Sequence, residues 1–137
     1  MEKLSNDIVE KKLLHFPDWD FFDDAIHAEF EFNNFKDCFS AMSRIAFECE
    51  ALNHHPNWTN VYNSLTISLS THDAGGVTEK DFKLAEAIER CVFGINNNTG
   101  NNYRRHIRRL VFTLRHHHPS RMNGHVKKKK PKVFYLK

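Results

Sequence analysis

The stretch EALNHHPNWTNVYNSLTISLSTHDAGGVTEKD, residues 50–81, decides how this chain folds. Within it Leu65, Ile67 and Leu69 alternate with Thr66, Ser68 and Ser70, the period of two expected of a strand with one buried face. Upstream, Pro56 forces a non-helical path and holds His55 extended, and NWTNVY is long enough for a short strand of its own. Downstream, DAGG supplies a turn, and Thr78 with Asp81 three residues later has the spacing of a helix-capping pair. The adjacent His54 and His55 therefore stand before the strands and His72 stands after them. A strand advances about 3.3 Å per residue, so His72 returns to the other two only if the segment between them bends or pairs with a neighbour. Three imidazoles converging on one pocket is the expectation.

Working outward, Ser5 is placed to cap a helix running to about Leu14, with Ile8, Val9, Lys12 and Leu13 along one side, and Pro17 ends it. From Ile26 the pattern alternates: Ala28, Phe30 and Phe32 fall on one face and His27, Glu29 and Glu31 on the other. This predicts the second arm of a hairpin that turns at Asp23 and Asp24, with Trp19 to Phe22 as its first arm. Asn34 caps the next helix, with Asp37 near its free N–H groups. Phe35, Phe39, Met42, Ile45, Ala46 and Cys49 recur at helical steps and are expected to form its core face. That helix ends near Leu52 and Asn53, delivering Glu50 and the two histidines to its C-terminal mouth, where the dipole favours a cation. A last helix follows Thr78 with Phe82, Ala85, Ile88 and Val92 inward. The order is α-β-β-α-β-β-α.

The length of 137 residues with 40% hydrophobic content suits one modest domain with an appendage. Cys38, Cys49 and Cys91 are widely spaced, without a CxxC pair, which argues against a zinc site or disulfide framework and for buried thiols in a reducing compartment. The start, MEKLSNDIVEKK, is charged in both senses, and no run approaches the ~20 apolar residues of a membrane span. A soluble, cytoplasmic protein is expected. The overall charge of +3 hides a division: residues 1–94 carry 8 Lys and Arg against all 17 Asp and Glu, whereas residues 95–137 carry 12 Lys and Arg and no acid. The expectation is a domain over 1–94 and a basic, flexible tail over 95–137. In the tail, INNNTGNN reads as linker and YRRHIRRLVFTLRHHH as a basic helix, ahead of KKKKPK. Such a tail has two readings: a segment contacting nucleic acid or an anionic surface, or a solvated end.

Imidazole, with an unperturbed pKa near 6.5, is the side chain suited to both giving and taking a proton near neutrality. A metal site is the rival use of histidines, but consecutive residues in an extended segment point apart and no Cys accompanies them, so no metal is assigned. The ordered run HHPNW, NVYN, the alternating strand, STHDAGGVTEKD and LAEAIE resembles the pterin-4a-carbinolamine dehydratase family, over roughly Leu4 to Val92. Family members commonly have Glu where this chain has Asn57. The resemblance implies an α+β fold, a four-stranded antiparallel sheet with helices covering one face. It implies dehydration of a 4a-hydroxytetrahydropterin to quinonoid dihydropterin and water, in tetrahydrobiopterin recycling, with no metal or redox cofactor. His54, His55 and His72 become the catalytic set, His54 and His72 as proton donors and His55 as a base or an orienting group. Glu50, one turn before His54, becomes a group that orients His54 or favours its charged form, against the plain reading of a surface carboxylate. Asn53, Ser70, Thr71 and Asp73 become polar contacts to the pterin, while Asp81 is explained by helix capping alone. The family's habits also imply a homodimer or homotetramer. Mammalian members serve as dimerisation cofactors for a homeodomain transcription factor, so a coactivator-type binding protein is the alternative.

Overall fold

Two tight hairpins make the sheet, and both turn on residues with left-handed backbone angles. The structure, a computed structural model, describes residues 1–97. Its elements are α1 (Asn6–Leu13), β1 (Trp19–Phe22), β2 (Ala25–Glu31), α2 (Phe35–Leu52), β3 (Asn57–Val61), β4 (Ser64–Leu69), a 3-10 turn (His72–Ala74) and α3 (Glu79–Asn97). Phe22 pairs with Ala25, so Asp23 and Asp24 form a two-residue loop with φ of 51° and 54°. A type I′ hairpin turn requires positive φ at both positions, and Asp is one of the few non-glycine residues that visits that region readily. The second loop, Tyr62 and Asn63, joins Val61 to Ser64 and puts Tyr62 at φ 51°. A bulky residue there is strained. Asn60 offsets it, its Nδ2 donating to the carbonyls of Tyr62 and Ser64, each at 3.0 Å. Asn63 ties the loop to β2, its Nδ2 donating to the Phe32 carbonyl at 2.8 Å and its own carbonyl accepting from Phe32 N–H at 2.8 Å.

The strand order is β1-β2-β4-β3, antiparallel throughout, with β2 and β4 central and in register from Ile26 opposite Leu69 to Glu31 opposite Ser64. This register puts Ala28, Phe30, Leu65, Ile67 and Leu69 into one apolar layer, all 5% exposed or less, beneath the helices. The α+β architecture is the one that the element order and the family resemblance imply. Trp19 meets Phe30 edge-on at 6.1 Å, and Phe93 of α3 meets the same ring at 6.4 Å. Cys38, Cys49 and Cys91 are buried free thiols, and burial pushes Cys49 up to about 11, which keeps it protonated near neutrality.

The second helix meets the expectation in part: Met42, Ile45 and Cys49 turn inward, and Phe35, Phe39 and Ala46 do not. Its buried face is Cys38, Ala41, Ile45 and Cys49, with Met42 and Leu52 partly buried against the core, whereas Phe35, Phe39, Ala46 and Phe47 lie exposed. It is helical spacing that predicts Phe35 and Phe39 inward. On this buried face Cys38 accepts from Asn60 Nδ2 of β3 at 3.2 Å, and α2 packs against α3. The third helix runs through Gly94 to Asn97, entering the segment expected as linker, and the rest of the basic tail lies outside the described residues. No helix among the described residues is long and apolar enough to cross a membrane.

This register is checked by substitution. Replacing Ile45 with Ala should cost about 2–5 kcal/mol of stability by leaving a core cavity. Phe47→Ser, at a side 76% exposed, should shift it by no more than about 0.5 kcal/mol. Urea denaturation measures both, and the reverse ranking would mean that α2 does not bury the face formed by Cys38, Ala41, Ile45 and Cys49.

Candidate active site

The site begins where α2 stops. Asn53 takes the left-handed conformation, φ 48° and ψ 46°; its N–H donates to the Glu50 carbonyl at 3.2 Å, and the N–H of His54 reaches back to the Cys49 carbonyl at 3.0 Å. This paired closure satisfies the orphan carbonyls of the helix end and reverses the chain within one residue. His54 is thereby thrown back toward the start of α3.

There its Nε2 meets Asp81 Oδ1 at 2.5 Å. Asp81 is fully buried and the imidazole only 11% exposed. The other carboxylate oxygen, Oδ2, accepts from the Thr78 N–H at 2.8 Å and from the Thr71 hydroxyl at 2.9 Å. Thr78 and Asp81 are thus the capping pair that their spacing predicts, with Thr78 Oγ1 accepting the Lys80 N–H at 3.3 Å. A reciprocal cap uses one carboxylate oxygen. The second is left over, and His54 takes it.

Thr71 carries the third histidine into this neighbourhood. It forms an antiparallel bridge with Gly76, N–H to carbonyl at 2.8 Å, closing a small loop that contains the turn His72–Ala74. Gly75 stands at φ 73°, where a side chain would be strained. The histidine-bearing ends of α2 and β4 are therefore joined through one carboxylate, and the exposed His72 stands one residue from the junction.

His55 has its own carboxylate. Its Nε2 lies 2.7 Å from Glu50 Oε1, with the ring 59% and the acid 78% exposed. The expectation that Glu50 orients His54 is corrected here. The chain reversal after Asn53 swings His54 toward α3, so the acid one turn earlier is left facing its neighbour. Asn53 serves the helix end through its backbone, and Thr71 spends its hydroxyl inside the protein, on Asp81 and on Thr78 Oγ1 at 2.7 Å. Ser70 and Asp73 are exposed on either side of Thr71 and His72, and Trp58 is half-buried against the core. Asp81 is what the sequence reading left out of the site. Its signal was the unused oxygen of the capping pair; burial, which gives that oxygen its weight, is not written in the spacing. Among the described residues no three His, Cys, Asp or Glu side chains cluster as a metal site would require. A cleft lined by Lys12, His15, Phe16, Glu79, Phe82, Lys83 and Glu86 involves none of the three histidines.

The two histidine–carboxylate pairs should differ in weight. Asp81→Ala removes three acceptor contacts from a buried position and should lower stability by about 1–3 kcal/mol or more. Glu50→Gln, at an exposed pair, should change it by no more than about 1 kcal/mol. Equal small effects in urea denaturation would mean that the buried pair is not formed in solution.

The family model described as pterin 4 alpha carbinolamine dehydratase matches residues 2–91. A Christiangramia forsetii protein named "Putative pterin-4-alpha-carbinolamine dehydratase" is 58% identical over 96 residues, covering 70% of this chain and 99% of the relative. A protein of the same name from Rhodospirillum rubrum is 42% identical over 93 residues, covering 66% and 97%. Among solved structures, the transcriptional coactivator/pterin dehydratase from Brucella melitensis superposes with a TM-score of 0.65 at 33% identity, covering 66% of this chain and 99% of that one. With its family match spanning both histidine-bearing loops and Asp81, this chain belongs to the pterin-4-alpha-carbinolamine dehydratase family.

Proposed function

We propose that this protein dehydrates a 4a-hydroxytetrahydropterin, a step in tetrahydrobiopterin recycling, by histidine general acid–base catalysis. The observation that carries this reading is the junction at Asp81, whose two oxygens bind His54 and Thr71, the residue before His72. The C4a–O bond breaks as the N5 lone pair moves in to form the C4a=N5 bond. The hydroxyl leaves as water with a proton from an imidazolium, and a base takes the N5 proton, giving quinonoid dihydropterin. His54 and His72 are assigned as donors, and His55, beside Glu50, as the base or orienting group. Glu50, Asn53, Ser70 and Asp73 are assigned to contacts with the pterin. An assisted proton transfer of this kind contributes ~10² to 10⁴ in rate.

The assay is stopped-flow absorbance on chemically generated 4a-hydroxytetrahydropterin. The wild-type protein should accelerate its loss over buffer, and His54→Ala, His55→Ala or His72→Ala should each lower turnover at least about tenfold. Wild-type protein without acceleration would overturn the enzyme reading, and unchanged variants would overturn the assignment of roles.

A second reading, as a binding protein that self-associates, draws on two observations. One structural relative is named both coactivator and dehydratase, and α2 exposes the packed pair Phe35 and Phe39, rings 5.7 Å apart and 45% and 54% exposed. Exposed clustered rings mark surfaces that bury themselves against a partner. A dimer or tetramer is expected by light scattering, reduced in mass by the double change Phe35→Ser and Phe39→Ser. A wild-type monomer at every concentration tested would remove this reading.

A further inference from the structure

Every hydrogen around Asp81 can be assigned by counting. Thr71 has one hydroxyl proton, and it goes to Asp81 Oδ2 at 2.9 Å. The 2.7 Å contact between Thr71 Oγ1 and Thr78 Oγ1 must then be donated by Thr78. Thr78 Oγ1 in turn accepts the Lys80 N–H, at 3.3 Å. The direction of the chain is therefore Thr78 to Thr71 to Asp81. With Oδ2 taking two donors, Oδ1 is the oxygen left for the ring, and an ionised carboxylate can only accept. His54 must donate from Nε2, across 2.5 Å.

We propose that Thr71 and Thr78 form a hydroxyl relay that aims Asp81 and so holds His54 in the tautomer carrying its proton on Nε2, leaving Nδ1 as the nitrogen that trades a proton with substrate. On this account Thr71 is a positioning residue, not a pterin contact. The inference rests on the dehydratase reading for its catalytic consequence and on the hydrogen-bond geometry for its structural one. The neutral ring offers a lone pair at Nδ1, and the protonated ring offers N–H there. Either way Nε2 is withdrawn from the reaction. Because Asp81 is fully buried and accepts on both oxygens, it has no second orientation available without leaving a buried donor unpaired, which costs about 1–3 kcal/mol per group. Thr71 also fixes the loop of His72 through its N–H to the Gly76 carbonyl at 2.8 Å. One residue thereby bears on two histidines, on His54 through its hydroxyl and on the loop of His72 through its backbone, and small displacements of reacting groups are expensive in rate.

Thr71→Val keeps the β-branched shape and removes the hydroxyl, and Thr71→Ser keeps the hydroxyl and removes the methyl. Each is read in two ways: steady-state kinetics on 4a-hydroxytetrahydropterin, and nitrogen–proton NMR of the His54 ring, assigned by its loss in His54→Gln. Thr71→Val should lower kcat at least about tenfold with KM unchanged, as expected for a misplaced acid or base. It should also lose the protected Nε2–H signal, and Thr71→Ser should retain both. If Thr71→Val does not fold, Thr71→Ala, which brings no methyl against the carboxylate, makes the same comparison. An intact Nε2–H signal with wild-type kcat in the hydroxyl-free variant would overturn the relay. A raised KM with unchanged kcat would overturn it too, in favour of direct contact with the pterin. Wild-type protein without dehydratase activity would sink the proposed function alone, and the ring signal would still decide the relay.

Discussion

A carboxylate with no exposed surface is the constraint from which the rest of this structure follows. Asp81 lies fully buried at the first turn of α3, and a buried acid is tolerable only when its oxygens are filled by donors. The chain supplies three from separate places: a backbone N–H from the helix cap, a hydroxyl from the end of β4, and an imidazole from the end of α2. Satisfying Asp81 thus pins together the three segments from which the candidate site is made. The helix-start partial charge of α3 adds to this, since a carboxylate in the first turn faces N–H groups that have no helical partner.

The two histidines in sequence come to opposite ends of a scale of rigidity. His54 is held by a buried acid whose own orientation is over-determined, whereas His55 is paired with Glu50 in an exposed setting where water competes for both partners. A ring of the first kind has a defined tautomer and a defined nitrogen to offer. One of the second kind is free to reorient as a substrate arrives. Side by side in the chain, they are suited to different work, and the division comes from the αL residue between α2 and the histidine pair. Without the reversal at Asn53, both rings would continue along the helix axis.

Much of this was legible in the amino acids. The alternation of Leu65, Ile67 and Leu69, the hairpin at Asp23 and Asp24, the caps at Ser5, Asn34 and Thr78, and the stop at Asn53 are local signals, and each is found where its pattern puts it. Where the reading failed, the deciding quantity was not local. Which side of α2 faces inward depends on the elements packed against it, and Cys38, Ala41, Ile45 and Cys49 are buried there while Phe35 and Phe39, which share the helical spacing, are not. Glu50 has the right spacing to serve His54, but spacing along a helix predicts a partner only while the helix continues.

The residues themselves determined the α+β class, the positions of the turns and caps, and the presence of histidines on two segments flanking a pair of strands, because each of these depends on neighbours within a few positions. Only the tertiary structure decided which carboxylate serves which imidazole. That choice is made by burial and by the meeting of three chain segments at Asp81, and the pairs it joins, His54 with Asp81 and Thr71 with Asp81, are 27 and 10 residues apart. Over such separations no periodicity in the sequence carries the information.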